Sequence, residues 1–240
     1  MWTLYFYTAM YKHIFFDLDH TLWDFEQNSK EALLEIFHEY HVQQILNCTF
    51  NDFITVYHAV NHAYWEAYKK NEVSREKLRN GRFIDTLAHF KNNNIRLAEE
   101  ISEAYILKSP YKKQLFEGAL RVLDYLTHKG YQLHIITNGF NEVQYIKLTE
   151  SGLLPYFKTI TTSEHAGQNK PNEEIFLHAL AKAEAKKTES IMIGDNFEAD
   201  IEGAILAGIA AIWFNPMKVA NESQLNFKTI NHLLELEELL

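Results

Sequence analysis

Residues 12–25 read Lys12-His13-Ile14-Phe15-Phe16-Asp17-Leu18-Asp19-His20-Thr21-Leu22-Trp23-Asp24-Phe25. Ile14, Phe15 and Phe16 are a short run of strand formers with no polar break, the pattern of a strand buried on both faces. The run stops at Asp17-Leu18-Asp19. Alternation along an extended chain puts the two carboxylates on one face and turns Leu18 back into the protein. Like charges held that close are costly unless they share a cation or a proton, so the strand end predicts a site. Thr21 follows two residues later.

From there the chain alternates. After residue 110, Gly118–Lys129 reads as a helix ended by Gly130, Tyr131–Ile136 as a strand running into Thr137-Asn138-Gly139, and Asn141–Glu150 as a helix stopped by Gly152. Phe157–Thr161 is a short strand, and Pro171 is placed in the first turn of a helix reaching Ala183. Ser190–Ile193 is a strand ending in Gly194-Asp195, Ala199–Ala207 a helix, and Ile209–Phe214 a last strand. Strands and helices alternating at this spacing predict an α/β fold, a Rossmann-like parallel sheet covered on both faces.

Residues 28–110 carry no strand pattern. Helices are expected over Lys30–Tyr40 with Asn28 or Ser29 as its cap, over Asn51–Lys70, and from Ser74 onward with an interruption at Asn80-Gly81-Arg82. A fourth helix is expected over Leu97–Lys108. The expected organisation is a catalytic core of residues 11–27 and 111–240, an inserted all-helical domain of residues 28–110, and an N-terminal extension over residues 1–10, with Met10 an alternative start.

Composition narrows the class. At 240 residues the chain holds one large core, or a core and a satellite domain. A formal net charge of −9 argues against binding a nucleic-acid polymer through a basic surface. Cys48 is the one cysteine, so neither an internal disulfide nor a cysteine zinc site is expected, and a reducing cytoplasm suits it. Most of the 12 histidines read as surface or cap residues. The apolar residues 1–10 lack the basic start of a leader, and no stretch approaches 18 apolar residues, so no membrane partner is expected.

The chemistry gathers where strands end, which is where ligands bind in such sheets. Asp17 and Asp19 follow the first strand, Thr137-Asn138 the second, Asp195 with Asp200 the fourth, and Lys170 precedes a helix. The set holds a carboxylate nucleophile, a second carboxyl to move protons, a third to complete a metal site, and a hydroxyl, an amide and a lysine for phosphoryl oxygens. Oxygen ligands without Cys or His suit Mg2+. These are the parts of phosphoryl transfer.

Asp17-Leu18-Asp19-x-Thr21, the strand ending in Thr137-Asn138-Gly139, Lys170-Pro171, and Gly194-Asp195 followed by Asp200 resemble, in order, the four motifs of the haloacid dehalogenase superfamily of aspartate-nucleophile phosphatases. The resemblance runs from about residue 11 to the end, and the inserted helices match that superfamily's helical cap. It implies that Asp17 attacks phosphorus and that Asp19 protonates the leaving oxygen and then deprotonates water. Thr137, Asn138 and Lys170 would bind the phosphoryl group. Mg2+ would be held by Asp17, the Asp19 carbonyl and Asp195, with Asp200 orienting Lys170 or a metal-bound water. Asn196 stands where some members carry a second acid, which leaves the division between Asp195 and Asp200 open.

Within that superfamily, Ile135-Ile136-Thr137-Asn138-Gly139-Phe140, Asn80-Gly81-Arg82-Phe83 and Lys170-Pro171-Asn172-x-x-Ile175-Phe176 look like the pyrimidine 5′-nucleotidases that clear non-standard nucleotides. The implied substrate is a nucleoside monophosphate; phosphoglycolate and sugar phosphates are the alternatives, and a sugar-phosphate mutase a third. Arg82, in the expected helix break, and Trp23, just past the first motif, are the specificity candidates. A monomer or a homodimer is expected.

Overall fold

The computed structural model describes residues 11–70 and 72–240. The expected extension over residues 1–10 therefore lies outside the described residues. The chain divides into two compact units, one joining the segment that ends at Asp24 to Leu115–Leu240, the other being Phe25–Gln114.

The first unit is built on six parallel strands: β1 (His13–Phe16), β2 (Gln132–Thr137), β3 (Phe157–Thr162), β4 (Ser190–Gly194), β5 (Ala210–Phe214) and β6 (Lys228–Ile230). Their order is β3-β2-β1-β4-β5-β6. β1 is central because its residues are apolar on both faces; Ile14, Phe15 and Phe16 are fully buried. Phe16 pairs with Ile135 of β2 and Ile193 of β4, so β2 and β4 run on two residues and one residue past the end of β1. Chain order reverses between β1 and β4, the position where open α/β sheets leave a crevice. Asp17 and Asp195 are the residues that follow those two strands.

One face of the sheet packs Phe15, Ile136, Met192 and Trp213 against Ile175, Phe176 and Ala179 of α9 (Glu173–Lys182) and Ala204 of α10 (Gly203–Leu206). Truncating a side chain such as Phe15 at this centre is expected to cost about 3–5 kcal/mol. The crossover helices α6 (Ala119–His128) and α7 (Asn141–Glu150) fall where the sequence puts them. A sixth strand does not: β6 is three residues long, and two of them are exposed. The helix expected over Ala199–Ala207 begins instead as a π-helix, Phe197–Glu202, with Asn196 capping the Ala199 N–H. Pro171 precedes the α9 cap residue Asn172, and its bond to Lys170 is cis. His13 and His134 are buried in adjacent strands, 3.1 Å apart, and His134 reaches Thr159 Oγ1 at 2.8 Å.

The second unit is all helical: α1 (Phe25–Glu39), α2 (Val42–Leu46), α3 (Phe50–Lys69), α4 (Arg75–His89) and α5 (Ile95–Lys108). Phe37, Phe53, Tyr57, Phe83, Leu87, Ile101 and Tyr105 make its core. Two sequence expectations fail here. Asn28 and Ser29 do not cap α1 but lie inside it, fully buried. The Asn28 amide exchanges two hydrogen bonds with the backbone of Gln114, at 2.8 and 2.9 Å, and Ser29 accepts from Tyr105. Nor does α4 break at Gly81. A Cβ there would stand 2.5–2.7 Å from the Tyr64 ring and hydroxyl. Gly81 lets two helices approach closely; it does not end one.

The crossings between the units are short. Trp23 bridges Leu115, and the Phe116 N–H donates to Leu22 at 3.0 Å, just before the chain leaves for the helices and just after it returns.

Candidate active site

The turn after β1 is tight. The N–H groups of Leu22 and Trp23 donate to the Leu18 carbonyl, and His20 adopts φ 64°. This fold of the chain sends Asp17 and Asp19 to separate partners. Each carboxylate has its own lysine.

Asp17 faces Lys170. The Lys170 ammonium donates to Asp17 Oδ1 at 2.6 Å, Asp200 Oδ1 at 2.6 Å and the Ile136 carbonyl at 2.8 Å. All three of its protons are used, and the side chain is 2% exposed. Burial lowers the Lys170 pKa, but Asp17 and Asp200 more than reverse this and hold it above the ordinary lysine value. Binding a phosphoryl oxygen through Lys170, as the sequence implies, therefore requires exchanging one of these partners. Asp17 is raised well above the usual carboxylate range, chiefly by burial, with Asp200 and Asp195 adding to the rise and Lys170 opposing it.

Asp195 completes the group. Its Oδ1 accepts from Thr21 Oγ1 at 3.1 Å, its own N–H donates back to Thr21, and its carbonyl takes the Trp213 indole N–H at 2.7 Å. Burial, then Asp200, push its pKa up to about 7. Oxygens of Asp17, Asp195 and Asp200 lie within 4.8 Å of one another. Asp200 has spent both of its own, Oδ1 on Lys170 and Oδ2 on the Asn196 N–H. Gly194 makes this possible, since a Cβ there would meet the Asp200 carboxylate at 2.3 Å. That leaves Asp17 and Asp195 with oxygens to offer. Three carboxylates face one ammonium, and the surplus of negative charge is what a divalent cation with oxygen ligands would balance.

Asp19 is held differently. Lys147 Nζ reaches its Oδ1 at 2.5 Å and Gln144 Nε2 its Oδ2 at 2.8 Å. Burial raises the Asp19 pKa, but Lys147 and Gln144 outweigh it and hold the group ionised below the usual range. The Lys147 ammonium also lies 4.1 Å from the centroid of the Trp23 ring. Trp23 is fully buried under it.

Thr137 Oγ1 accepts from the Gly139 N–H and from Gln144 Nε2, both at 3.1 Å. With both lone pairs taken, its hydroxyl hydrogen is what it has to give. The Asn138 side chain pins the backbone of Lys170, accepting from its N–H at 2.7 Å and donating to its carbonyl at 3.0 Å. The side-chain amide is committed, and Asn138 acts by placing Lys170.

Arg82 lies in the helical unit. It is 6% exposed, donates to Asn61 Oδ1 at 2.8 Å, and its guanidinium covers the rings of Phe83 and Tyr105 at 5.3 and 5.0 Å. The break expected to carry it is an unbroken helix, so the premise of that specificity assignment falls.

Lys147 and Gln144 were not foreseen. Their signal is present: spaced i, i+3 on one face of α7 beside buried Leu148, they are polar residues in core positions.

With this geometry in place, the comparisons are specific. Residues 14–214 match the family described as haloacid dehalogenase-like hydrolase. The chain belongs to that family. It is 33% identical to the pyrimidine 5′-nucleotidase PynA of Streptococcus pneumoniae, over 89% of this chain and 88% of that one. It is 34% identical to the pyrimidine 5′-nucleotidase YjjG of Escherichia coli, over 95% and 96%. Among solved structures, the magnesium-bound hydrolase YfnB of Bacillus subtilis superposes with a TM-score of 0.84 at 30% identity, covering 95% of this chain and 98% of that one.

Proposed function

We propose that the protein is a Mg2+-dependent phosphomonoesterase that works through an aspartyl phosphate on Asp17 and takes nucleoside 5′-monophosphates, pyrimidine nucleotides first. The observation that carries the chemistry is the Lys170 ammonium seated between Asp17 and Asp200 with Asp195 beside them. Likeness to PynA and YjjG over nearly the whole chain supports the substrate class.

The Asp17 carboxylate, held by Lys170 through Oδ1, is the nucleophile. It forms a bond to phosphorus as the bond from phosphorus to the ester oxygen breaks, and Asp19 delivers a proton to the departing oxygen. A water then attacks the aspartyl phosphate and gives its proton to Asp19. The bond from phosphorus to Asp17 breaks and phosphate leaves. The proton Asp19 takes in the second step balances the one it gave; because Lys147 and Gln144 keep the free group ionised, each turnover starts with a proton taken up together with the substrate. Thr137 donates its hydroxyl hydrogen to a phosphoryl oxygen, and Lys170 exchanges a carboxylate for another. Asp17 and Asp195 would hold Mg2+, which when bound offsets charge on the transferring group. Asp200 keeps Lys170 charged and in place.

Among the described residues no helix is long and apolar enough to cross a membrane. A small phosphorylated metabolite in the cytoplasm is the substrate this reading requires.

The test is phosphate release from nucleoside monophosphates, phosphoglycolate and sugar phosphates, with Mg2+ and with EDTA. Release that needs Mg2+ and is highest on pyrimidine nucleotides is expected. Release confined to glycolate or sugar phosphates would keep the mechanism and discard the nucleotidase, and isomerised sugar phosphate without free phosphate would replace hydrolysis with a mutase.

A further inference from the structure

Gly139 is not where it is for its backbone freedom. Its φ is not among the positive values of the chain, although an Asn-Gly pair suggests a left-handed turn. A Cβ on Gly139 would instead fall 1.6 Å from Gln144 Nε2. The residue ending the second motif is kept small so that one amide can pass.

That amide joins two parts of the site. Gln144 Nε2 donates to Asp19 Oδ2 at 2.8 Å and to Thr137 Oγ1 at 3.1 Å. The reverse orientation would set an amide oxygen against a carboxylate, so the nitrogen must face Asp19. Gln144 is wholly buried, and its Oε1 has no hydrogen-bond partner. An orphaned buried acceptor is destabilising by about 1–3 kcal/mol, a loss that a leucine packed at this helix position would avoid. Packing alone does not call for a glutamine here.

We propose that Gln144 is a positioning residue that couples Asp19 to Thr137, so that the carboxylate that moves the proton and the hydroxyl that grips the phosphoryl group are set by one amide. The proposal rests on the phosphomonoesterase reading. Lys147, one turn further along α7, anchors the other oxygen of the same carboxylate and leaves Gln144 to fix its rotation.

The experiment compares wild type, Gln144→Met and Gly139→Ala on two Mg2+-loaded reactions. One substrate is a nucleoside monophosphate, whose alkoxide leaving group needs a proton. The other is p-nitrophenyl phosphate, whose leaving group does not. The readout is kcat/KM, which reports only through the step that forms the aspartyl phosphate. Misplacing Asp19 is expected to lower kcat/KM for the nucleotide by about a hundredfold, while p-nitrophenyl phosphate, which depends only on the Thr137 grip, should lose far less. Gly139→Ala, which displaces the amide without removing it, should show the same split, and serves alone should Gln144→Met not fold. Equal losses on both substrates, or none, would overturn the positioning role while the wild-type rates leave the phosphatase standing. A wild type inactive on both would overturn the phosphatase reading and this inference together.

Discussion

The Lys170 ammonium and the Asp17 carboxylate face each other at 2.6 Å, both nearly shut from solvent. Removing one partner of such a pair strands the other as an unpaired buried charge. Lys170→Met is therefore expected to lose about 3–5 kcal/mol of stability together with all turnover. Lys170→Arg should restore neither, because a planar guanidinium does not match three acceptors around a point charge. Denaturant unfolding and phosphate release measure the two effects; an arginine variant with wild-type turnover would contradict the geometry.

Asp17→Asn keeps the shape and an acceptor for Lys170. It should fold with little loss of stability and show no turnover, and no phosphoenzyme should appear by intact mass under acid quench. Near-normal turnover would remove Asp17 from the nucleophile's role.

In the proposed metal site, Asp195 and Asp17 supply the carboxylate oxygens. Mg2+ at about a hundredfold over its Kd should stabilise the wild type by about 2.7 kcal/mol, read as a rise in Tm. Asp195→Asn should lose that rise while keeping its basal Tm, since Thr21 and Trp213 hold it through its N–H, its carbonyl and Oδ1. A full Mg2+ shift in the variant would place the metal elsewhere.

His134 is buried between His13 and Thr159, and desolvation with His13 nearby lowers its pKa from 6.5 to about 4. The unfolded chain then binds the proton that the fold refuses. Its contribution is complete above about pH 6.5 and shrinks as pH falls toward 4, by at most about 1.4 kcal/mol per pH unit. The raised carboxylates Asp17 and Asp195 act in the opposite sense, so the comparison must be with His134→Asn. The difference in unfolding free energy between wild type and variant should shift toward the variant between pH 6.5 and 4.5. A pH-independent difference would mean that His134 is not held neutral.

An alanine in place of a glycine in mid-helix usually stabilises by about 1 kcal/mol. At Gly81 the sign should reverse, because the new methyl meets the Tyr64 ring; overpacking of this kind costs about 1–3 kcal/mol. In a Tyr64→Ala background Gly81→Ala should become stabilising again. Additive effects in the two backgrounds would rule out the contact.

The legible parts of this chain were those whose signal is local. The buried run Ile14–Phe16, the alternation of strands and helices after residue 110, and the acids, threonine and lysine at strand ends could all be read in order. Glycines misled, because their two uses look alike in a sequence. Gly81 was read as a break, yet it makes room for the Tyr64 ring, as Gly139 makes room for the Gln144 amide. Asn28 and Ser29 have cap chemistry but spend it on Gln114 and Tyr105, far along the chain. β6 was too short and too polar to register. Gln144 and Lys147 were passed over as ordinary helix residues; their role depends on Asp19, more than a hundred residues away.

The paired crossings at Trp23–Leu115 and Asn28–Gln114 have a further consequence. On each side the outgoing and returning chain are already tied together, so each unit closes its own stem without the other. Ninety residues are thus spliced into the sheet domain at what is, topologically, a single point. A cassette with ends so joined can be exchanged for another of different length or shape while the registers of β1, β2 and β4 stay as they are. Such an exchange at the two joining peptides leaves the aspartates and their lysines untouched.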